Sequence, residues 1–307
     1  MVLIYSHADS LTHVTPLGHP EQVNRMTAVE TGLTGIDAHR IQSPLGTDAD
    51  LRRCHSARYV NSVRALVPQT GWAQLDGDTY LSPGSLNAAL RAVGGACAAV
   101  DAVLAGNDKA AFVAARPPGH HAERETAMGF CIFGTVAVAA KHALDHHGLS
   151  RLAIVDFDVH HGNGTQDLLW DEARCLFASS HQMPLYPGSG AASETGAHGQ
   201  MVNVPLRAGS GGEEMRMAYK GLIFPALLAW QPELILISAG FDAHRDDPLA
   251  GLEWQTDDYR WLTGRICDLA DQICGGRVVS CLEGGYDLTA LAASVAAHVG
   301  VLQERGQ

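Results

Sequence analysis

Short unbroken apolar runs alternate along this chain with longer stretches in which apolar residues recur at helical spacing. The runs at 2–5, 111–115, 152–157, 175–178, 233–239 and 277–282 read as strands buried on both faces. The stretches at 85–105, 133–147, 213–230, 257–274 and 289–303 read as helices. Such alternation is the pattern of βαβ units, so the predicted class is α/β with a parallel sheet. Ser85 is placed to cap the first long helix, and His146 and His147 just before Gly148 read as a helix C-terminus, where imidazoles and a terminating glycine are both favoured. Neither a repeat nor a Pro/Ser-rich linker interrupts the pattern, and a single domain over residues 1–307 is expected.

Composition narrows the class of function. The chain is 46% apolar and 18% charged, enough to bury a sizeable core, and its formal charge of −12 opposes a phosphate backbone or an anionic membrane. No run of Lys or Arg offsets that charge, so neither nucleic acid nor membrane is expected as a partner. The apolar stretches break before the roughly 20 residues of a membrane span, and Met1 leads into Val2-Leu3-Ile4-Tyr5 without a basic leader, so a soluble, unexported chain is expected. Seven cysteines, an odd number with no Cys-x-x-Cys pair, fit reduced core thiols in a cytoplasm better than a disulfide framework or a thiolate metal site.

Chemistry collects where strands end. The run at 111–115 leads into Arg116-Pro117-Pro118-Gly119-His120-His121, and 152–155 into Asp156-Phe157-Asp158-Val159-His160-His161-Gly162-Asn163. Ser179-Ser180-His181 follows 175–178, Gly240-Phe241-Asp242 follows 234–238, and Glu283-Gly284-Gly285-Tyr286 follows 278–282. In an open parallel sheet ligands bind beyond the carboxyl ends of the strands, so these clusters are expected in one crevice. Asp158 and His160, two apart on a segment read as extended, should point to one side and, joined by Asp242, give a three-ligand site with an open position, suited to zinc or a similar divalent ion. Asp156 and Asn163 are the natural partners for His120 and His121, since a partner on one ring nitrogen fixes the tautomer and leaves the other to handle protons. Tyr286, on a Gly-Gly turn, is placed to donate to a carbonyl oxygen that becomes negative. Together these roles describe metal-assisted hydrolysis of an amide.

The same residues resemble the histone deacetylase family, particularly its class II-like bacterial amidohydrolases, together with acetylpolyamine amidohydrolases. The resemblance runs through His19-Pro20-Glu21 with Arg25, Asp78 to Ser85, Arg116 to His121, Met128 to Cys131, Asp156 to Gln166, Ala239 to Asp242 with Asp247-Pro248-Leu249, and Glu283 to Tyr286. It implies the arginase/deacetylase fold, with a central parallel sheet of about eight strands flanked by helices. It also implies one zinc ion on Asp158, His160 and Asp242, His121 as the general base, His120 with Asp156 as its electrostatic neighbour, and Tyr286 polarising the acetyl carbonyl. Gly129 and Phe130 resemble the wall of a channel for an acyl-lysine-like chain, Asp78 a rim residue that holds the substrate backbone, and Arg25 a residue of the acetate exit route. A potassium ion is implied near Asp156, Asp158, the His160 carbonyl, Ser179 and Ser180.

Two positions depart from the pattern. Gly134 stands where relatives commonly carry Asn, which removes an amide near the site, and Leu249 stands where a polyamine-selective relative carries a gatekeeper Glu. The expected activity is therefore removal of acetyl or another short acyl group from acyl-lysine or an acylated small amine. An arginase-like ureohydrolase with two manganese ions would need further bridging carboxylates, which Asp242-Ala243-His244 does not supply. A catalytically idle acyl-binding module, prompted by Gly134, is the remaining alternative.

Overall fold

The strands of the computed structural model, which describes residues 1–305, are β1 (Val2–Ser6), β2 (Ala38–Gln42), β3 (Ala73–Gln74), β4 (Tyr80–Leu81), β5 (Ala110–Ala114), β6 (Leu152–Asp156), β7 (Cys175–Gln182), β8 (Met201–Leu206), β9 (Ile235–Ala239) and β10 (Val278–Leu282). Its helices are α1 (Asn24–Gly32), α2 (Asp48–Leu51), α3 (Ala57–Leu66), α4 (Ser85–Leu104), α5 (Thr135–Asp145), α6 (Asn163–Leu168), α7 (Gly212–Ala218), α8 (Phe224–Trp230), α9 (Thr256–Cys274) and α10 (Leu288–Arg305). The last two residues of the 1–307 span lie outside the described residues.

Eight strands form one parallel sheet in the order β2-β1-β5-β10-β9-β6-β7-β8, while β3 and β4 make a small antiparallel pair apart from it. Because side chains alternate along a strand, each strand feeds two cores. Val2, Ile4, Phe112, Val155 and Ile237 pack on one face with α1, α9 and α10, whereas Leu3, Tyr5, Val113, Ile154 and Leu236 pack on the other with α3, α4 and α5. Burial on both faces is why the central strands read as continuous apolar runs. Helix α4 is long and apolar enough to cross a membrane by length and composition, but most of it is buried in the second of these cores.

The edges were not legible. β2 reads Ala-His-Arg-Ile-Gln and is largely exposed, and β8 carries Pro205, which a sheet tolerates only at its margin. Strand β7 runs to Gln182 rather than ending at 178, because pairing with β8 carries Ser179, Ser180 and His181 inside the ladder. The helix expected at 213–230 is interrupted by a π turn over Tyr219–Ile223. Pro225 explains it: this residue has no N–H to donate and its ring would press on the carbonyl of Gly221, so the helix widens there. Ser85 does not cap α4. Gly84 holds that position, and the Ser85 hydroxyl accepts from the Ser82 N–H at 2.7 Å and meets His13 Nδ1 at 2.6 Å.

Below the sheet ends one buried charge cluster joins three segments. Arg116, at the end of β5, donates from Nε and Nη2 to the two carboxylate oxygens of Glu21, both at 2.5 Å, and from Nη1 to the Ser10 and His13 carbonyls. Arg25 on α1 adds a third contact to Glu21 at 3.1 Å. Burial is the largest single influence on Glu21 and would raise its pKa, but Arg116 and His13 together outweigh it and hold the carboxyl well below its ordinary 4.5. A folded pKa below the unfolded one contributes stability that is complete above the unfolded value and is lost as pH falls through the folded value. Denaturant unfolding should therefore show stability declining below about pH 4.5, and less steeply in Glu21→Gln than in the parent. At neutral pH, Glu21→Ala should lose about 3–5 kcal/mol, because it leaves two buried guanidinium groups without their carboxylate.

Candidate active site

The strand ends meet as expected. Asp156 is the last residue of β6, and Asp158 and His160 follow it on a bend, not on an extended segment. That bend is held by carboxylates: the Asp158 N–H donates to Asp156 Oδ1 (3.1 Å), the Val159 N–H to Asp242 Oδ1 (2.9 Å) and the His160 N–H to Asp158 Oδ1 (2.9 Å). Turning the chain here, rather than extending it, brings His160 back over Asp158. Its Nδ1 lies 3.2 Å from Asp158 Oδ1 and 3.2 Å from Asp242 Oδ2.

Asp158, His160 and Asp242 form a buried group of possible ligands whose donor atoms lie within 4.8 Å of one another. The Asp242 Oδ2 atom is buried and makes no well-formed hydrogen bond, with His160 Nδ1 3.2 Å from it. Metal bonds of about 2.0 Å in a tetrahedron have an edge of about 3.3 Å, close to both His160 contacts. The set therefore fits a divalent ion. Two glycines make room for it: a Cβ at Gly240 would overlap the Asp158 carboxylate, and one at Gly284 would overlap that of Asp242.

Two imidazoles stand beside this group. His120 Nδ1 meets Asp156 Oδ2 at 3.0 Å, and His121 Nδ1 meets Asn163 Oδ1 at 2.7 Å. Since an amide oxygen only accepts, His121 carries its proton on Nδ1 and keeps a lone pair on Nε2. Burial, then the neighbouring His120 and His160, pushes His121 well below the ordinary imidazole range and keeps it neutral. Burial also opposes charge on His120, but Asp158 and Asp156 outweigh it and hold that imidazole well above the same range. Tyr286 is buried, which raises its phenol and keeps it a proton donor.

A channel of about 240 Å³ descends to this floor, lined by Asp78, His121, Gly129, Phe130, His160, Leu185, Tyr186, Leu249 and Tyr286. Gly129 and Phe130 both have left-handed backbones, with φ of 54° and 67°, and the Phe130 N–H donates to Thr79 Oγ1 at 3.0 Å. That uncommon conformation turns the Phe130 ring edge-on to Tyr286 at 5.7 Å.

The histone deacetylase domain family matches residues 19–302. This chain belongs to the histone deacetylase family. It is 42% identical over 302 residues to the uncharacterized protein slr0245 of Synechocystis, covering 96% of this chain and 97% of that one. It is 39% identical over 274 residues to a histone deacetylase-like amidohydrolase of Pseudomonas aeruginosa, covering 87% of this chain and 71% of the relative. Its structure is similar to the crystal structure of the HDA15 HD domain, with a TM-score of 0.91 at 33% identity, over 98% of this chain and 90% of that one. The architecture is thus the arginase/deacetylase fold, and the family is one of hydrolases that deacetylate.

Within that fold the remaining predicted residues fall in two groups. Asp78 and Leu249 do line the channel, and the Asp78 carbonyl is held by His19 Nε2 at 2.9 Å. Arg25 is fully buried and lines neither the channel nor the neighbouring groove. It lies against the Tyr286 ring, 4.9 Å from its centre, and donates to the Gly285 carbonyl at 2.7 Å and the Glu283 carbonyl at 2.5 Å. The Ser179 and Ser180 hydroxyls already have partners, His181 Nδ1 and the Tyr219 hydroxyl, both at 2.9 Å. Gly134 leaves no gap: its N–H donates to His55 Nε2 at 2.9 Å, and a side chain there would run into Leu168. Burial depresses His55 to about 4, so it is a neutral acceptor.

Sequence reasoning missed Tyr186 altogether, and it placed Glu283 and Asp247 in motifs without giving them a role. Tyr186 stands edge-on to His121 at 5.2 Å and lines the channel together with Phe130, and only its place in a Tyr-Pro-Gly turn after β7 marks it. Glu283 accepts from the Gly119 N–H at 2.6 Å and the His120 N–H at 3.2 Å, fixing the backbone that presents both histidines. Asp247 accepts from the Tyr286 N–H at 2.7 Å. If the glycine at 284 exists to admit the two carboxylates, Gly284→Ala should keep its circular dichroism spectrum yet bind a divalent metal about 10–100-fold more weakly in a competition titration.

Proposed function

We propose that this family member is a zinc-dependent deacetylase whose substrate is a short acyl group, acetate foremost, on the end of an unbranched alkyl amine such as acyl-lysine or an acylated small amine. The observation that carries this reading is the convergence of Asp158, His160 and Asp242 with His121 and Tyr286 at the floor of a narrow aromatic channel. Zinc held by those three residues would polarise the acyl carbonyl and acidify water at neutral pH. The rest falls to the chain. Phe130 and Tyr186 flank an alkyl stem, exclude water from it and leave a head group outside at Asp78. His121, neutral and oriented by Asn163, takes the proton from the attacking water on Nε2 and later returns it to the departing amine. Tyr286 donates its phenolic hydrogen to the acyl oxygen as that oxygen becomes negative, and Arg25 and Asp247 hold it in place. His120, paired with Asp156, plays a largely electrostatic part.

Potassium beside Asp156, Asp158 and the His160 carbonyl would offset the carboxylates; the seven buried free cysteines fit a reducing cytoplasm. The whole chain is taken to act as one catalytic domain.

Division of labour at the site predicts two classes of variant. Asp158→Ala and Asp242→Ala should lose bound zinc by elemental analysis, whereas His121→Ala and Tyr286→Phe should retain it and lose kcat by about a hundredfold or more. Metal loss in all four alike would refute the assignment. A fluorogenic acetyl-lysine peptide, assayed beside acetylated polyamines, should be turned over and should be blocked by a hydroxamate that chelates zinc through two oxygens. Full activity under saturating hydroxamate would remove the zinc mechanism.

A further inference from the structure

Helix α5 ends in three histidines that the deacetylase reading does not use. His142 and His146 are one helical turn apart with rings stacked 4.9 Å between centres and 16° between planes. The His147 ring stands edge-on to both, 5.4 Å from His142 and 4.9 Å from His146. Each of the three offers a ring nitrogen within 4.8 Å of the others. Asp101, on α4, faces them: its Oδ1 lies 2.6 Å from His142 Nε2 and 2.7 Å from His147 Nε2.

A single carboxylate oxygen can accept from both rings only if each carries a proton on Nε2, and in the neutral rings this leaves the Nδ1 atoms with lone pairs open to a metal. The His142 Nδ1 atom is buried and has no hydrogen-bond partner. A carboxylate on one nitrogen of an imidazole with the other nitrogen free is the arrangement that supports metal-ligating histidines. The pull of a helix C-terminus on imidazoles accounts for His146 and His147 near Gly148. It does not account for the buried His142, for its unpaired nitrogen or for the convergence of three rings.

We propose that His142, His146 and His147, oriented by Asp101, form a second binding site for a divalent transition metal of the nitrogen-preferring kind: zinc, nickel or copper(II). Imidazole donors exclude magnesium and calcium, which take oxygen ligands. The site is separate from the catalytic floor. Helix α5 begins beside the channel segment and returns antiparallel to the sheet, so its C-terminus lies about 16 Å away along the helix, toward the N-terminal ends of the strands. A metal there would tie the last turn of α5 to α4 and add to stability without touching the chemistry.

The test loads the full-length protein with Zn2+, removes excess by gel filtration and counts zinc per chain, with a calorimetric titration alongside. His146→Ala/His147→Ala changes only surface side chains. It should retain one zinc fewer than the parent, show a smaller rise in Tm on adding Zn2+, and turn over acetyl-lysine peptide unchanged. Asp158→Ala, by contrast, should lose the other equivalent and keep this one, which separates the two sites. His146→Gln, which leaves His147 at the helix end, should weaken the second binding event by about tenfold or more. Equal zinc content in parent and double variant, or affinities within about threefold, would overturn the proposal.

Discussion

Three carboxylates, Asp156, Asp158 and Asp242, are buried together at the carboxyl edge of the sheet, and most of the surrounding structure is a response to that concentration of negative charge. Burial of unpaired ions costs several kcal/mol each, so every oxygen needs a donor or a cation. Backbone N–H groups of Asp158, Val159, His160 and Gly284 supply some, His120 supplies another, and Asp242 Oδ2 is left for a ligand. The bend after β6 is the geometry that turns the N–H groups of three consecutive residues, Asp158, Val159 and His160, toward these carboxylates. The glycines at 240 and 284 answer the same constraint, since the carboxylates occupy the space their side chains would take.

A second layer orients the groups around that point. Glu283 fixes the backbone at Gly119 and His120, Asn163 sets the tautomer of His121 and is itself anchored by Glu123 at 2.8 Å, and Asp247 holds the backbone of Tyr286 while Arg25 lies over its ring. The Glu21, Arg116 and Arg25 cluster joins this layer to the sheet, because Arg25 touches both the buried carboxylate and the Glu283–Gly285 turn. Stability and site geometry therefore share parts: a change beneath the site moves the phenol above it.

The central strands, the long helices and the clustering of chemistry at strand ends were all legible in the sequence. Burial on both faces gives β5, β6, β9 and β10 uninterrupted apolar runs, and a parallel sheet puts the loops at the strands' carboxyl ends on one side. That Asp158, His160, Asp242, the two histidines and Tyr286 would gather at the strand ends was legible because their spacing within short motifs is local. The edge strands were not, since β2 is largely exposed and β8, though mostly buried, is broken by Asn203 and Pro205, so neither carries such a run.

What the sequence determined by itself was the class of fold, the family and which residue types would meet, since hydrophobic period and short motifs are properties of neighbouring positions. Tertiary structure alone decided the order of the strands, the bend that turns His160 onto Asp158, and the meeting of Phe130 and Tyr186 in one channel lining. It also decided that His55 and Leu168 would occupy the space around Gly134, and that Asp101 would meet the histidines at the end of α5. Each of these depends on contacts between segments tens of residues apart, the bend included, since the Val159 N–H is held by Asp242, and no local pattern encodes which distant partner a group will find.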